Sequence, residues 1–149
     1  GFLIKRDFKI LNLGHKNDLN KIQVKAGHDA YLRNFGCIHN RSISIDKINN
    51  KVVGQDNLIQ SRVNSKIKYD IRFHLYPGLS AVQTIGGNTL LIQINKNKAL
   101  LFSTNEKNLK IEKSIFFGGQ KVLDNYCIVI SGNMENDEKI INWEIIKKI

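Results

Sequence analysis

Residues 27–46 read GHDAYLRNFGCIHNRSISID. This stretch places histidine, arginine and aromatic side chains around a short polar centre, and it ends in a run of alternating isoleucine and serine that is typical of a β-strand. It therefore predicts a strand, a turn and a second strand. Residues 71–78 (IRFHLYPG) carry another arginine and histidine, and we expect them to lie on a neighbouring strand. Three of the four histidines fall in these two segments.

The rest of the chain repeats a period of two, in short apolar runs separated by Asn, Gly, Asp and Lys. Residues 68–76 (KYDIRFHLY) show it most clearly, with apolar side chains on one face and Arg72 and His74 on the other. Residues 80–85 and 89–94 flank a Gly-Gly-Asn turn and predict a hairpin. About ten such strands, without a convincing amphipathic helix, predict an all-β fold: an antiparallel β-sandwich or stacked antiparallel sheets.

Some segments are less regular. Residues 2–11 are expected to form the first strand, followed by a polar turn over residues 14–18 that contains His15. Gly54, within VVGQDNL, suggests a β-bulge. Residues 140–149 could form a helix by composition, but apolar residues alternate with polar ones there, which favours a strand.

The length of 149 residues suits one β-sandwich domain spanning residues 1–149, with a substantial core and no linker. The chain starts at Gly1 and its only methionine is Met134. We therefore expect it to be a C-terminal fragment of a larger protein. No apolar run is long enough to span a membrane.

The net charge of +10 and the pI near 9.7 are compatible with a polyanionic partner. The excess lysine occurs together with abundant isoleucine and asparagine, so an AT-rich coding bias with a solvated lysine surface explains it equally well. Most aromatic residues fall in phase with the core. Since nucleic-acid-binding sheets expose interleaved aromatic and arginine side chains, we expect no nucleic-acid partner.

The two cysteines, Cys37 and Cys127, have no CxxC or zinc-type spacing. Each lies in an apolar run, which favours a buried free thiol, although the sequence leaves a disulfide open. The chain also lacks GxSxG, P-loop and dinucleotide-binding motifs. We expect no cofactor in this chain.

A candidate polar cluster comprises the histidine, arginine and tyrosine side chains of the two segments: His28, Tyr31, His39, Arg41, Arg72 and His74. A metal site would combine three histidines with Asp29. However, adjacent residues of a strand, such as His28 and Asp29, point to opposite faces, so spacing gives a metal site little support.

Two other interpretations of this cluster remain open. In one, a histidine acts as general base and Tyr31 or Tyr76 as general acid. In the other, the histidines and arginines form a hydrogen-bonded polar layer across adjacent strands, and the two tyrosines pack at sheet edges. The second interpretation is the simpler one, because no spacing motif selects a catalytic pair.

A family resemblance rests on HDAYLRNFGCIHNRSISID, VVGQDNL, YDIRFHLYPG, SIFFGGQKVLDNYCIVISG and INWEIIKKI. Over residues 26–149 the chain resembles the C-terminal part of heparinase II/III-like proteins, whose versions of these motifs include HDGY, HRR, GED and RFHLHPG. Ala30, Asn40, Gln55 and Tyr76 depart from those forms.

The resemblance implies a polysaccharide lyase that acts by β-elimination on glycans containing uronic acid. Such proteins join an N-terminal α/α toroid to C-terminal antiparallel sheets. The resemblance places the catalytic residues, and a metal-binding His/Asp group, upstream of this chain, so the fragment alone is expected to be inactive. It also implies an acidic polysaccharide substrate and a location in the periplasm or cell envelope. The alternative is a non-catalytic carbohydrate-binding or structural β-sandwich.

Overall fold

The computed structural model describes residues 8–61, 66–119 and 121–148, and most of them lie in antiparallel strands. The elements, in chain order, are β1 (Ile10–Asn17), β2 (Lys21–His28), α1 (Leu32–Phe35), β3 (Cys37–Asp46), β4 (Lys51–Gln60), β5 (Ile67–His74), β6 (Ser80–Gln83), β7 (Thr89–Asn95), β8 (Lys98–Thr104), β9 (Leu109–Gly118), β10 (Lys121–Met134) and β11 (Glu138–Lys148). The all-β prediction is confirmed.

The strands form two sheets. The larger one, sheet A, has the order β1-β2-β3-β4-β11-β8-β7-β6, and the smaller one, sheet B, has the order β5-β10-β9. After β4 the chain crosses to sheet B to form β5, and it returns to sheet A for β6 to β8. It then forms β9 and β10 in sheet B, and the last strand, β11, lies in sheet A. Because β11 pairs with both β4 and β8, the last strand joins the two halves of sheet A.

The core lies between the two sheets. Its fully buried members are Leu90, Phe102, Ile128, Ile130 and Ile141. Each such side chain contributes about 1.5–3 kcal/mol relative to its exposed state. Aromatic packing also joins the sheets, since the Phe73 ring of β5 meets the Phe102 and Trp143 rings edge-on at centroid distances of 5.1 and 4.8 Å.

The central strand of sheet B, β10, is covered on both faces. Ile128 and Ile130 face the core, whereas Cys127 and Val129 are buried on the opposite face beside Arg72 of β5. Cys127 and Cys37 are both buried free thiols. Burial raises the pKa of each thiol, which keeps it protonated and unreactive.

The predicted hairpin and the predicted C-terminal strand are both present. β6 pairs antiparallel with β7, and β11 is extended over its whole length. In the part of the chain that the structure describes, no helix has the length and apolar character needed to cross a membrane.

The start of the chain differs from the prediction. The predicted first strand, residues 2–11, lies largely outside the described residues, and β1 runs on through the predicted turn, so His15 lies in a strand. β1 is an edge strand with little burial on either face, so its sequence does not alternate. The turn comes later, where the Asp18 carboxylate accepts hydrogen bonds from the backbone N–H groups of Asn20 and Lys21 at 3.2 and 2.7 Å.

The expected pairing between the two histidine-containing segments is wrong. β3 pairs with β2 and β4 on its two edges, whereas β5 pairs with β10 in the other sheet. Alternation predicted which side chains of each strand share a face. It carries no information on which sheet a strand joins.

The β-bulge suggested at Gly54 is also wrong. β4 keeps regular register with both neighbours, and Gly54 lies directly opposite Ile43 on one side and Trp143 on the other. A Cβ atom at Gly54 would lie 2.0 Å from Cζ2 of Trp143. The glycine is therefore required for space, because the indole ring lies over its Cα.

We predict that Gly54→Ala lowers the free energy of unfolding by about 1–3 kcal/mol, because the new methyl group displaces Trp143 from its packed position. Urea unfolding monitored by the fluorescence of Trp143, the only tryptophan, measures the change. Gly86→Ala is the control, since a Cβ there meets only Asn88 Oδ1, at 3.6 Å. Equal losses in the two variants would contradict this account.

Candidate functional site

The candidate site is built around Asp56, a carboxylate at a core position of β4. Inner-face residues of this strand alternate through Gly54, Asp56 and Leu58, and the Asp56 side chain is 0% exposed. An unpaired buried carboxylate costs several kcal/mol. Its hydrogen-bond partners therefore decide whether the fold can hold it.

Three neighbouring side chains donate four hydrogen bonds to Asp56. Oδ1 accepts from His39 Nε2 and from Arg41 Nε, each at 2.6 Å. Oδ2 accepts from Arg41 Nη2 at 3.1 Å and from Trp143 Nε1 at 2.8 Å. Each oxygen has two donors, so the carboxylate is fully satisfied.

A second histidine extends this network toward the surface. The backbone N–H of Ala30 donates to His28 Nδ1 at 3.3 Å, and His28 Nε2 lies 3.3 Å from His39 Nδ1. His28 must then carry its proton on Nε2 and donate it to His39. His39 in turn carries its proton on Nε2, facing Asp56. All four ring nitrogens are therefore engaged in hydrogen bonds.

Arg41 links the network to the other sheet. Its guanidinium carbon lies 5.3 Å from the centroid of the Phe73 ring on β5 and 5.9 Å from that of Trp143 on β11. A cation over aromatic faces is attracted to their π-electrons. Arg41 therefore holds Asp56 through hydrogen bonds and sheet B through ring contacts.

The electrostatics of the cluster follow from this geometry. Burial by itself raises the pKa of Asp56, but hydrogen bonds from His39, Arg41 and Trp143, together with the Arg41 charge, lower that pKa overall. The pKa of His28 is lowered by burial and then by His39, against the opposing charge of Asp29. The folded protein thus favours an ionised Asp56 and a neutral His28.

Tyr31 stands at the outer end of the cluster. Its ring meets His28 edge-on at a centroid distance of 5.2 Å and Phe35 at 6.3 Å. A cleft of about 430 Å³ opens between this turn and β5, with Tyr31, His39 and Arg41 along its wall. Four of the six candidate residues, His28, Tyr31, His39 and Arg41, thus lie together.

Arg72 and His74 belong to a different environment. Both side chains project from the outer face of β5, where Arg72 pairs with Asp70 and Glu112 and His74 lies 3.2 Å from the Ser114 hydroxyl. A single polar layer that unites them with His39 and Arg41 is therefore not formed, because sheet B turns these side chains away from Asp56. Arg72 still borders the cleft.

Two of the alternatives considered for the cluster lack the necessary geometry. Tyr76 follows β5 and packs on Phe116 at a centroid distance of 5.6 Å, away from the pair of histidines at Asp56. Among the described residues, no group of three or more His, Cys, Asp or Glu side chains is arranged to hold a metal ion.

Sequence reasoning missed Asp56 and Trp143 as members of the site. Asp56 lies within the VVGQDNL motif, two residues from Gly54 and two from Leu58, so its phase matched the core face. That phase was the available signal. An acidic residue in a half-buried strand is ordinarily assigned to solvent, which concealed it.

We predict that Asp56→Asn lowers the free energy of unfolding by about 3 kcal/mol. The variant removes the negative charge that pairs with Arg41, and it leaves a buried donor without an acceptor. Chemical denaturation measures the loss. Asp124→Asn, at an exposed position of β10, is the matched control and should change stability by less than about 0.5 kcal/mol. A neutral effect of Asp56→Asn would contradict the role assigned to this carboxylate.

Stability should also fall as the pH drops through the ordinary range of histidine. His28 has a lowered pKa in the folded protein, so below about pH 6.5 the unfolded chain binds more protons and is favoured. Asp56, whose pKa is also lowered, adds a further loss at lower pH. Unfolding midpoints between about pH 7.5 and about pH 5 measure the trend. His28→Gln should flatten it and His15→Gln should not, and equal slopes in both variants would contradict this assignment.

The chain matches a family model described as "Heparinase II/III-like, C-terminal" over residues 2–144. No curated protein sequence matches it significantly. The match agrees with the resemblance carried by the sequence motifs.

Solved structures share the fold. The heparan sulfate lyase HepC from Pedobacter heparinus superposes with a TM-score of 0.78 at 12% identity, covering 93% of this chain and 22% of that one. A heparinase III gene product with methylated lysines gives a TM-score of 0.71 at 11% identity, covering 98% and 22%. A further heparinase III gives 0.68 at 14% identity, covering 94% and 21%.

At these identities the structural likeness establishes the fold, and the chain spans about a fifth of the length of the structures it matches. The family assignment rests on the sequence match, which extends over almost the whole chain. This protein therefore belongs to the heparinase II/III-like C-terminal family.

Proposed function

We propose that the chain is the C-terminal β-sandwich region of a polysaccharide lyase that cleaves uronic-acid-containing glycans by β-elimination, with the catalytic residues outside the chain. The observation that carries this proposal is the family match over residues 2–144, combined with relatives about five times as long. Those relatives include a heparan sulfate lyase and heparinases.

The hydrogen bonds within the cluster favour a structural, non-catalytic role for this region. β-elimination needs a base whose free lone pair removes the proton from the carbon next to the carboxylate of the uronate. It also needs an acid that protonates the leaving oxygen. In His28 and His39 every ring nitrogen is already engaged within the cluster. The lone pair of His28 Nδ1 accepts from the Ala30 backbone N–H and that of His39 Nδ1 accepts from His28, so neither imidazole offers a lone pair to a substrate without breaking one of these hydrogen bonds.

The charge of the chain is consistent with an acidic substrate. A net charge of +10 attracts polyanions over distances of about one Debye length, roughly 8 Å at physiological ionic strength. In this proposal an upstream α/α toroid carries the chemistry and any metal ion, and the two-sheet unit provides a rigid support beside it. A glycan-degrading enzyme of this kind would act in the periplasm or cell envelope.

We predict that the 149-residue chain alone shows no eliminase activity. Incubation with heparan sulfate, heparin and alginate should give no rise in the ultraviolet absorbance of unsaturated uronate, because the acid and base are outside the chain. The same assay on a longer gene product that includes the upstream region should give a rise. Turnover by the isolated chain would contradict the placement of the catalytic residues.

A further inference from the structure

The cleft between α1 and β5 combines features of a saccharide site. We propose that it binds an acidic sugar unit, one that carries a carboxylate or a sulfate, as a non-catalytic contact with the glycan. The chemical class of the ligand rests on the proposed function. The location rests on the cleft itself.

The shape of the cleft suits a small ring. Its volume of about 430 Å³ lies within the range of small-molecule sites, about 300–1,000 Å³. The buried side chains of Cys37, Leu58 and Ile71 contribute apolar lining, and polar and aromatic side chains stand beside them. A pyranose ring also combines apolar and polar surface, with C–H groups on its faces and polar substituents at its edge.

Two aromatic rings border the opening and remain accessible. Tyr31 is 47% exposed and Phe35 is 59% exposed, and they lie one helical turn apart at either end of α1. Exposed aromatic surface that adjoins a cleft is typical of a binding site. Flat rings of this kind can pack against the C–H face of a sugar.

The cationic groups are placed to receive an anion. Arg41 uses Nε and Nη2 for Asp56, and its Nη1 has no hydrogen-bond partner among the described residues. Asp56 fixes the guanidinium, so little further ordering is required when a ligand binds. Lys68 is exposed on β5 and forms no ion pair within the described part of the chain.

The remaining charges beside the cleft are one arginine and two carboxylates, which pair with each other and leave one negative charge that Lys68 offsets. Arg72 is occupied by Asp70 and Glu112, and Asp70 also accepts a hydrogen bond from Ser131. The donors left for an anion are the free Nη1 of Arg41 and, from the exposed face of β5 at the edge of the cleft, the ammonium group of Lys68. The combination of these two donors with two accessible aromatic rings favours an acidic sugar over a simple anion, which would not need the rings.

Titration calorimetry on the full chain tests the proposal, with heparin-derived and alginate-derived oligosaccharides as probes. Phe35→Ala should weaken binding by about three- to tenfold through lost ring contact. Lys68→Ala should weaken it by about two- to fivefold at low salt, and less at high salt. The matched controls are Phe117→Ala and Lys113→Ala, at exposed positions of β9 in the other half of sheet B, and both should bind as the unsubstituted chain does.

Four results would overturn the proposal: no binding by the unsubstituted chain, equal weakening by the β9 controls, equally tight binding of polyphosphate that Phe35→Ala does not affect, or tighter binding of single-stranded DNA. All four substitutions lie at exposed positions, and unchanged unfolding midpoints establish that each variant is folded. The assay measures equilibrium binding, whereas the eliminase assay measures turnover. A failure of one is therefore distinguishable from a failure of the other.

Discussion

The Asp56 carboxylate lies without solvent contact between two sheets, and four hydrogen bonds compensate its charge. The donors come from β3 and β11, the two strands that flank β4. Trp143 is 87 residues away from Asp56 in sequence, so this bond forms only when the last strand enters sheet A. Correct insertion of β11 thus completes the hydrogen bonding of the buried carboxylate, and a chain without it leaves Oδ2 of Asp56 short of one donor in the core.

Periodicity predicted much of this fold because most strands have one face on the core. Residues 68–76 alternate cleanly, and Tyr69 and Ile71 are buried while Arg72 is directed outward. The same rule failed at β1, whose edge position exposes both faces. It also failed at Asp56, where an acidic residue occupies the phase of a core residue. Sheet membership could not be predicted at all, because the choice of partner for β5 depends on tertiary packing and not on its own sequence.

The arginines of the two histidine-containing segments illustrate how burial decides the value of a charge. Arg72 spans β10 to reach Glu112 and also pairs with Asp70, but the three side chains are each more than 40% exposed. Exposed pairs of this kind contribute about 0–1 kcal/mol. Arg41 pairs with a carboxylate that is fully buried, so losing one partner there leaves the other in the core, at a cost of about 3–5 kcal/mol. The two arginines therefore contribute unequally to stability, although both pair with carboxylates.

The cluster also couples the core to the surface. Asp56 orients His39, His39 accepts from His28, and the His28 ring supports Tyr31 at the mouth of the cleft. Each step is a directional contact, so the Tyr31 ring packs on a histidine that is connected to the buried carboxylate through His39. Across the cleft, Phe73 of β5 is held against the same Arg41 that pairs with Asp56. Both walls thus contact side chains of the network around Asp56. The cleft between the two sheets is therefore bordered on both sides by side chains of one connected network, although no strand pairs across it.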